Sequence, residues 1–113
     1  MAEMKIIHIT TKGRKTGKKR ETELFSFEHE GEHVIIASNG GRKSHPDWYF
    51  NILKDPKVEL KIGKKTIQTT ARVSRDPLRK KLWAKLVKLS PHYGTFAKKT
   101  DRVIPVIVLS PKP

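Results

Sequence analysis

A chain of 113 residues is long enough for one modest core but not for two, so residues 1–113 are read as a single domain. It has no cysteine, which excludes disulfides, thiolate metal centres and cysteine nucleophiles, and no apolar run approaches the ~20 residues a membrane-spanning helix needs. Its 25 Lys and Arg against 11 Asp and Glu give a formal charge of +14, which favours anionic partners.

The first strand is predicted at residues 6–11, around Ile6, Ile7 and Ile9. Residues 21–29 and 33–38 read as a hairpin closed around Gly31, with Leu24, Val34 and Ile36 as core candidates. A polar loop follows, Asn39-Gly40-Gly41-Arg42-Lys43-Ser44. Pro46 suits the first turn of a helix ending near Lys54, with Ser44 or His45 as its cap. Residues 58–62 and 66–73 alternate apolar and polar around Gly63-Lys64-Lys65, a second hairpin. Leu78, Leu82, Leu86 and Leu89 form a helical stripe after Asp76-Pro77. On that helix Arg79, Lys80, Lys81, Lys85 and Lys88 read as a solvated polar side. Pro91 stops the helix, residues 92–99 form a short irregular or helical piece, and residues 104–109 form the last strand.

Hairpins without regular alternation of strand and helix argue for a mostly antiparallel sheet. The expected fold is therefore mainly β (α+β), a small closed or split β-barrel of about six antiparallel strands with helices packed outside. The N-terminus Met1-Ala2-Glu3-Met4 carries no signal-peptide pattern, and a cytoplasmic location is expected.

Two blocks carry the chemistry. In Thr10-Thr11-Lys12-Gly13-Arg14-Lys15-Thr16-Gly17-Lys18-Lys19-Arg20, six of the eleven residues are basic and two are glycine. A glycine-broken basic turn between strands suits a phosphate or polycarboxylate cradle, and equally a solvated hairpin that touches nucleic acid. It is not a nucleotide P-loop, because three residues, not four, separate Gly13 from Gly17, and Lys19 stands where the magnesium-binding hydroxyl belongs. The second block, residues 37–51, joins a strand end to a helix start and places Trp48 and Tyr49 there. Backbone donors beside flat rings suit a polar heterocycle, while at least one of the two aromatics is expected to be core. His29 and His33 have zinc-like spacing across a turn with no third ligand, so no metal is expected. No catalytic triad, nucleophile elbow or dinucleotide fingerprint is present, so a cofactor would carry any difficult chemistry.

Thr10-Thr11-x-Gly13-Arg14-Lys15-Thr16-Gly17-x-x-Arg20 resembles the basic motif of the deazaflavin-dependent nitroreductases, also called coenzyme F420-dependent quinone reductases. Ala37-Ser38-x-Gly40-Gly41 with His45-Pro46-x-Trp48-Tyr49-x-Asn51 resembles their second motif. Asp55-Pro56-x-Val58 and Thr100-Asp101-Arg102-x-Ile104-Pro105-Val106 resemble the remaining landmarks. The likeness runs in order from about residue 9 to the end. It implies an FMN-binding-protein-like split barrel and hydride transfer from reduced coenzyme F420 to an electron-poor acceptor, a quinone or nitro compound. By position, Arg14, Lys15, Thr16, Gly17 and Arg20 would hold the phosphate and oligoglutamate tail, and Thr22, Leu24 and Phe25 would line the channel. Ala37, Ser38 and Asn39 would face the ring, Asp47, Trp48, Tyr49 and Asn51 would close over the other end, and Tyr93 would stand beside ring and substrate. Ser38 and Tyr93 are the candidate proton donors. Ser90, Phe96 and Phe25 stand where well-known members have tyrosines. FMN in the same fold is the first alternative, a basic nucleic-acid-binding module the second. The expected partner is a small-molecule acceptor, not nucleic acid or a membrane-spanning assembly, and a homodimer stays open.

Overall fold

The computed structural model describes residues 3–112. Six strands, β1 (Lys5–Lys12), β2 (Lys19–His29), β3 (Glu32–Ile36), β4 (Lys57–Ile62), β5 (Lys65–Val73) and β6 (Val106–Pro111), close into a barrel in the order β1-β2-β3-β6-β5-β4. Every neighbouring pair is antiparallel. The helices are α1 (Asp47–Lys54), α2 (Leu78–Leu89) and α3 (His92–Lys98), with a 3-10 turn at Asn39–Gly41. The barrel with external helices stands as expected.

Strand alternation decides what fills the barrel. Ile7, Ile9 and Thr11 of β1 are buried, whereas Ile6, His8 and Thr10 between them are exposed or half-buried. The interior cluster joins Ile7, Ile9, Leu60, Ile107 and Leu109 to Trp48 and Ile52 of α1, so α1 caps one end of the barrel. A second cluster lies outside the wall, where Phe27, Val34, Ile36 and Val108 meet Leu82 and Leu86 of α2 and Tyr93 of α3. Strands β3 and β6 therefore read as unbroken apolar runs, because both of their faces are covered.

Several boundaries shift from the sequence expectation. Ser38 lies outside β3, and the last strand begins at Val106 because Pro105 precedes it. Neither Ser44 nor His45 caps α1: Pro46 occupies that position with extended backbone and no side-chain cap bond. The basic side of α2 is not wholly solvated. Arg79 Nη2 donates to the Ile104 carbonyl at 2.8 Å and its guanidinium stacks over Trp83. Lys85 Nζ donates to the Glu28 carbonyl at 3.1 Å and lies over Phe27. Their long stems let two cations bridge helix and barrel while covering apolar surface.

A polar buckle ties three strands together. Arg72 of β5 grips Glu32 of β3 through two bonds of 2.8 and 3.1 Å, and Ser110 of β6 donates to the same carboxylate. The Arg72 bonds first, then Ser110, hold the Glu32 carboxyl at a pKa of about 2, down from 4.5. A carboxyl whose folded pKa is depressed stabilises above its unfolded value and loses that contribution as pH falls through the folded one. Because Arg72 is half exposed, solvent screening cuts the contribution to about 1–2 kcal/mol. Urea unfolding of the parent should therefore weaken between pH 4.5 and 2 more steeply than that of Glu32→Gln. Parallel acid profiles would show that the buckle contributes nothing.

Candidate functional site

The β1–β2 connection is a tight basic loop. Gly13 N–H donates to the Lys18 carbonyl at 2.7 Å, and Gly17 N–H to the Gly13 carbonyl at 2.8 Å. A side chain at Gly13 would meet Thr16 Oγ1 at 3.0 Å and the Lys18 carbonyl at 3.1 Å, and Gly17 has a φ of +73°. Both glycines are thus required, one by space and the other by backbone conformation.

This loop is fastened to α1 through one buried amide. Asn51 Oδ1 accepts from Arg14 N at 3.1 Å and from Arg14 Nη1 at 3.0 Å, while Asn51 Nδ2 donates to buried Thr11 Oγ1 at 3.3 Å. Arg14 also reaches the Asp47 carbonyl and carboxylate, both at 3.3 Å, and lies over Phe50. Lys54 Nζ closes the joint on the Arg14 carbonyl at 2.8 Å. Arg14, Asp47 and Asn51 therefore spend their polar groups mainly on one another. Lys15 and Arg20 join none of the ion pairs formed among the described residues.

Those two cations line a cleft of about 430 Å³ with Gly13, Arg14, Thr16, Thr22, Asp47, Trp48 and Asn51. A second cleft of about 500 Å³ opens beside it. β3 ends at Ile36 and pairs only with the last part of β2, from Ser26 onward, so the chain after β3 diverges from the first half of β2. Thr22 to Phe25 form one wall, the Ser38–Arg42 loop the other, and Tyr93 lines it from α3. The clefts share Thr22 and Trp48, so one groove runs from the basic loop past the indole to Tyr93.

The groove unites most residues expected at the site: Arg14, Lys15, Thr16, Arg20, Thr22, Leu24, Phe25, Ser38, Asn39, Asp47, Trp48, Asn51 and Tyr93 line it. Three lie off it. Gly17 faces a separate cleft behind the loop. Ala37 is fully buried in the barrel, and Tyr49 packs against the same core and His45. Leu24 is half-buried, because it packs against the barrel core as expected and also lines the groove. Trp48, 6% exposed, is both core and lining.

The wall opposite β2 has unusual backbone. Ser38 is right-handed helical, and Asn39, Gly40 and Gly41 all have positive φ. A right-handed residue followed by a left-handed one turns successive N–H groups toward one point, a nest for anionic or carbonyl oxygen. Gly41 must be glycine for a further reason. A Cβ there would meet Phe96 Cα at 3.3 Å and the Lys99 side chain at 3.2 Å, so the loop lies flush on α3. Tyr93 is 6% exposed, its phenol pKa is raised by burial, and its hydroxyl has no partner among the described residues. It is held as an O–H donor.

The residue that holds this wall is Arg102, which sequence reading placed in a motif without giving it a role. It donates to the carbonyls of Ser38 (2.7 Å), Arg42 (2.9 Å) and Ala37 (3.1 Å), and to His45 Nδ1 at 2.8 Å. Burial first, and then the Arg102 charge, lowers the His45 pKa, so His45 accepts as a neutral ring.

The family model described as F420H(2)-dependent quinone reductase matches residues 1–111. A curated F420H(2)-dependent quinone reductase of Mycobacterium tuberculosis is 35% identical over 109 residues, covering 93% of this chain and 71% of that protein. The solved structure of an F420-H2 dependent reductase, FDR-A, superposes with a TM-score of 0.85 at 39% identity over 93% of each chain. Another structure, described as a domain-swapped dimer, has the same TM-score and identity and covers 93% of this chain and 79% of its own.

Proposed function

This chain belongs to the F420H(2)-dependent quinone reductase family, and from that footing we propose that it transfers a hydride from reduced coenzyme F420 to an electron-poor acceptor, a quinone or nitro compound. The observation that carries the reading is the groove: Lys15 and Arg20, in no ion pair among the described residues, at one end, a flat indole in the middle, and backbone donors with a phenol at the other. A ligand with a polyanionic tail and a planar head matches that sequence of surfaces.

The residues fit the coenzyme. Lys15, Thr16 and Arg20 would hold phosphate and tail, on a loop that Gly13 allows to close on itself. Trp48, Ser38 and Asn39 would take the ring. Bound there, the reduced deazaflavin supplies the hydride. The protein's own contribution is position and electrostatics. Trp48 and the barrel core beneath it keep water from one side, the nest at Ser38 offers N–H groups to developing negative charge, and Tyr93 or Ser38 presents a proton to the acceptor oxygen. A phenol holds its proton at neutral pH, and burial raises the Tyr93 pKa further. FMN is the rival ligand; its short phosphate tail would leave part of the basic loop unused.

A cytoplasmic location and a homodimer belong to the same reading. No helix among the described residues is long and apolar enough to cross a membrane, and the similar structure described as a domain-swapped dimer supports self-association.

Side-by-side titration with coenzyme F420 and with FMN tests the proposal, and tighter binding of F420 is expected. Lys15→Ala or Arg20→Ala should each weaken F420 about tenfold or more, the size of a charge-assisted hydrogen bond, with melting temperature unchanged because both side chains are exposed. Gly17→Val should also weaken binding by straining a φ of +73°. Equal or tighter FMN binding transfers the assignment to FMN, and unaltered F420 affinity in all three variants reduces the loop to a solvated turn.

A further inference from the structure

Resting on the hydride-transfer reading above, we propose that Arg42, on the same loop as the Ser38 and Asn39 that would take the coenzyme ring, is the cation of an anion site in the acceptor pocket. The protein then prefers acceptors that carry an anionic substituent over neutral acceptors of the same shape.

The two ends of the groove have separate sets of cations. Lys15 and Arg20 line the first cleft and not the second, whereas Arg42 lines the second and not the first. A positive charge at the acceptor end is therefore not part of the surface that would receive the coenzyme tail. Its charge is also unspent. The Arg42 guanidinium has one neutral partner, Asn39 Oδ1, at 3.4 Å, near the limit of a hydrogen bond, and it joins no ion pair among the described residues. Its backbone, in contrast, is held firmly, because its carbonyl accepts from Arg102 Nε at 2.9 Å. The side chain is thus free to meet a ligand while its root is fixed.

The rest of the wall agrees in sign. Gly41 and Arg42 use their N–H groups inside the turn, on the Ser38 and Asn39 carbonyls. Those of Ser38, Asn39 and Gly40 have no such acceptor among the described residues; the first two belong to residues that would take the ring, and the Gly40 N–H remains on the loop that carries Arg42. On the facing wall the acidic group is Glu23, which His8 Nε2 approaches at 3.2 Å. The cleft is consequently polarised, donors and a free cation on the loop side, a carboxylate on the strand side. A planar acceptor with a carboxylate or sulfonate would lie with that group toward Arg42 and its reducible carbonyls toward Tyr93. Reduction leaves the substituent untouched: a hydride from the coenzyme and a proton convert quinone to hydroquinone.

The probes are 1,4-naphthoquinone-2-sulfonate and neutral 2-methyl-1,4-naphthoquinone, each assayed with reduced coenzyme F420. Their intrinsic reactivities differ, so the readout is how the ratio of kcat/KM changes between parent and variant. Arg42→Gln should lower the sulfonate-to-neutral ratio about three- to tenfold, the range for a charge-assisted contact in a partly exposed site. Arg42→Lys should recover part of it, and Arg20→Ala should leave the ratio unmoved. A second readout needs no turnover. Binding of non-reducible 2-naphthalenesulfonate, followed by Trp48 fluorescence with oxidised coenzyme bound, should weaken by a similar factor in Arg42→Gln. An unchanged ratio and unchanged binding in Arg42→Gln overturn the anion site. If neither quinone is reduced, the hydride-transfer reading fails instead, and the naphthalenesulfonate titration still decides the site.

Discussion

Asn51→Ala is expected to lower the melting temperature by roughly 10–20 °C, from a loss of about 2–3 kcal/mol, and to weaken coenzyme binding more than tenfold in the protein that stays folded. The amide is 4% exposed and serves two elements at once. Its oxygen accepts from the Arg14 backbone and guanidinium, and its nitrogen satisfies buried Thr11. Truncation leaves those groups without partners inside the protein, where each costs the desolvation penalty in full. The loop carrying Lys15 and Thr16 is then released from α1. Asn51→Asp separates the two effects. A carboxylate still accepts from Arg14, and more strongly, while the Thr11 hydroxyl can rotate to donate. The aspartate variant should keep most of the coenzyme affinity and part of the lost stability. Calorimetry and coenzyme titration on both variants measure this. An alanine variant with full affinity would mean that the loop keeps its shape without α1.

The fold was largely legible because its determinants are local. Alternation in residues 58–62 and 66–73 and the leucine stripe of α2 each lie within one element, and the hairpin at Gly31 closes over two residues. The basic loop was equally readable, since its glycines and cations are contiguous. What could not be read is who holds whom. Arg14 reads as a phosphate ligand because it is basic and in the motif, and it does line the cleft; that its guanidinium also fastens residues 33 and 37 positions away, on α1, has no signal in the sequence. Arg79 and Lys85 looked solvated on a helical wheel, yet long stems let both reach barrel carbonyls. Arg102 shows the limit most clearly. Its four acceptors lie 57 to 65 residues earlier, and three of them are backbone carbonyls, which carry no side-chain signature at all.

Arg102→Leu should accordingly cost at least a hundredfold in kcat/KM, although Arg102 need touch neither coenzyme nor acceptor. One guanidinium fixes the carbonyls of Ala37, Ser38 and Arg42 and orients the His45 ring; without it the left-handed turn at Asn39 and Gly40 has no anchor on that side. A nest works only while its N–H groups converge, and small displacements of a preorganised site carry large rate penalties. Arg102→Lys should recover little, because a single ammonium lacks the planar fork that serves four acceptors. The pH dependence gives an independent sign. The His45 pKa is lowered in the folded protein from 6.5, so the unfolded chain binds the proton more readily, and stability contributed by neutral His45 is present above pH 6.5 and declines as pH falls toward the folded value. Protonation would also place a cation against Arg102. Activity and stability of the parent should both fall on acidification below pH 6.5. His33, whose pKa is likewise lowered by burial, contributes stability in the same window but lies away from the groove lining, so His45→Gln should flatten the activity profile while leaving the His33 part of the stability profile. If Arg102→Leu retains near-parent kcat/KM, or if His45→Gln keeps the parent's acid limb of activity, the loop holds its shape without this arginine, and the wall facing β2 is fixed instead by the contact of Gly41 with α3.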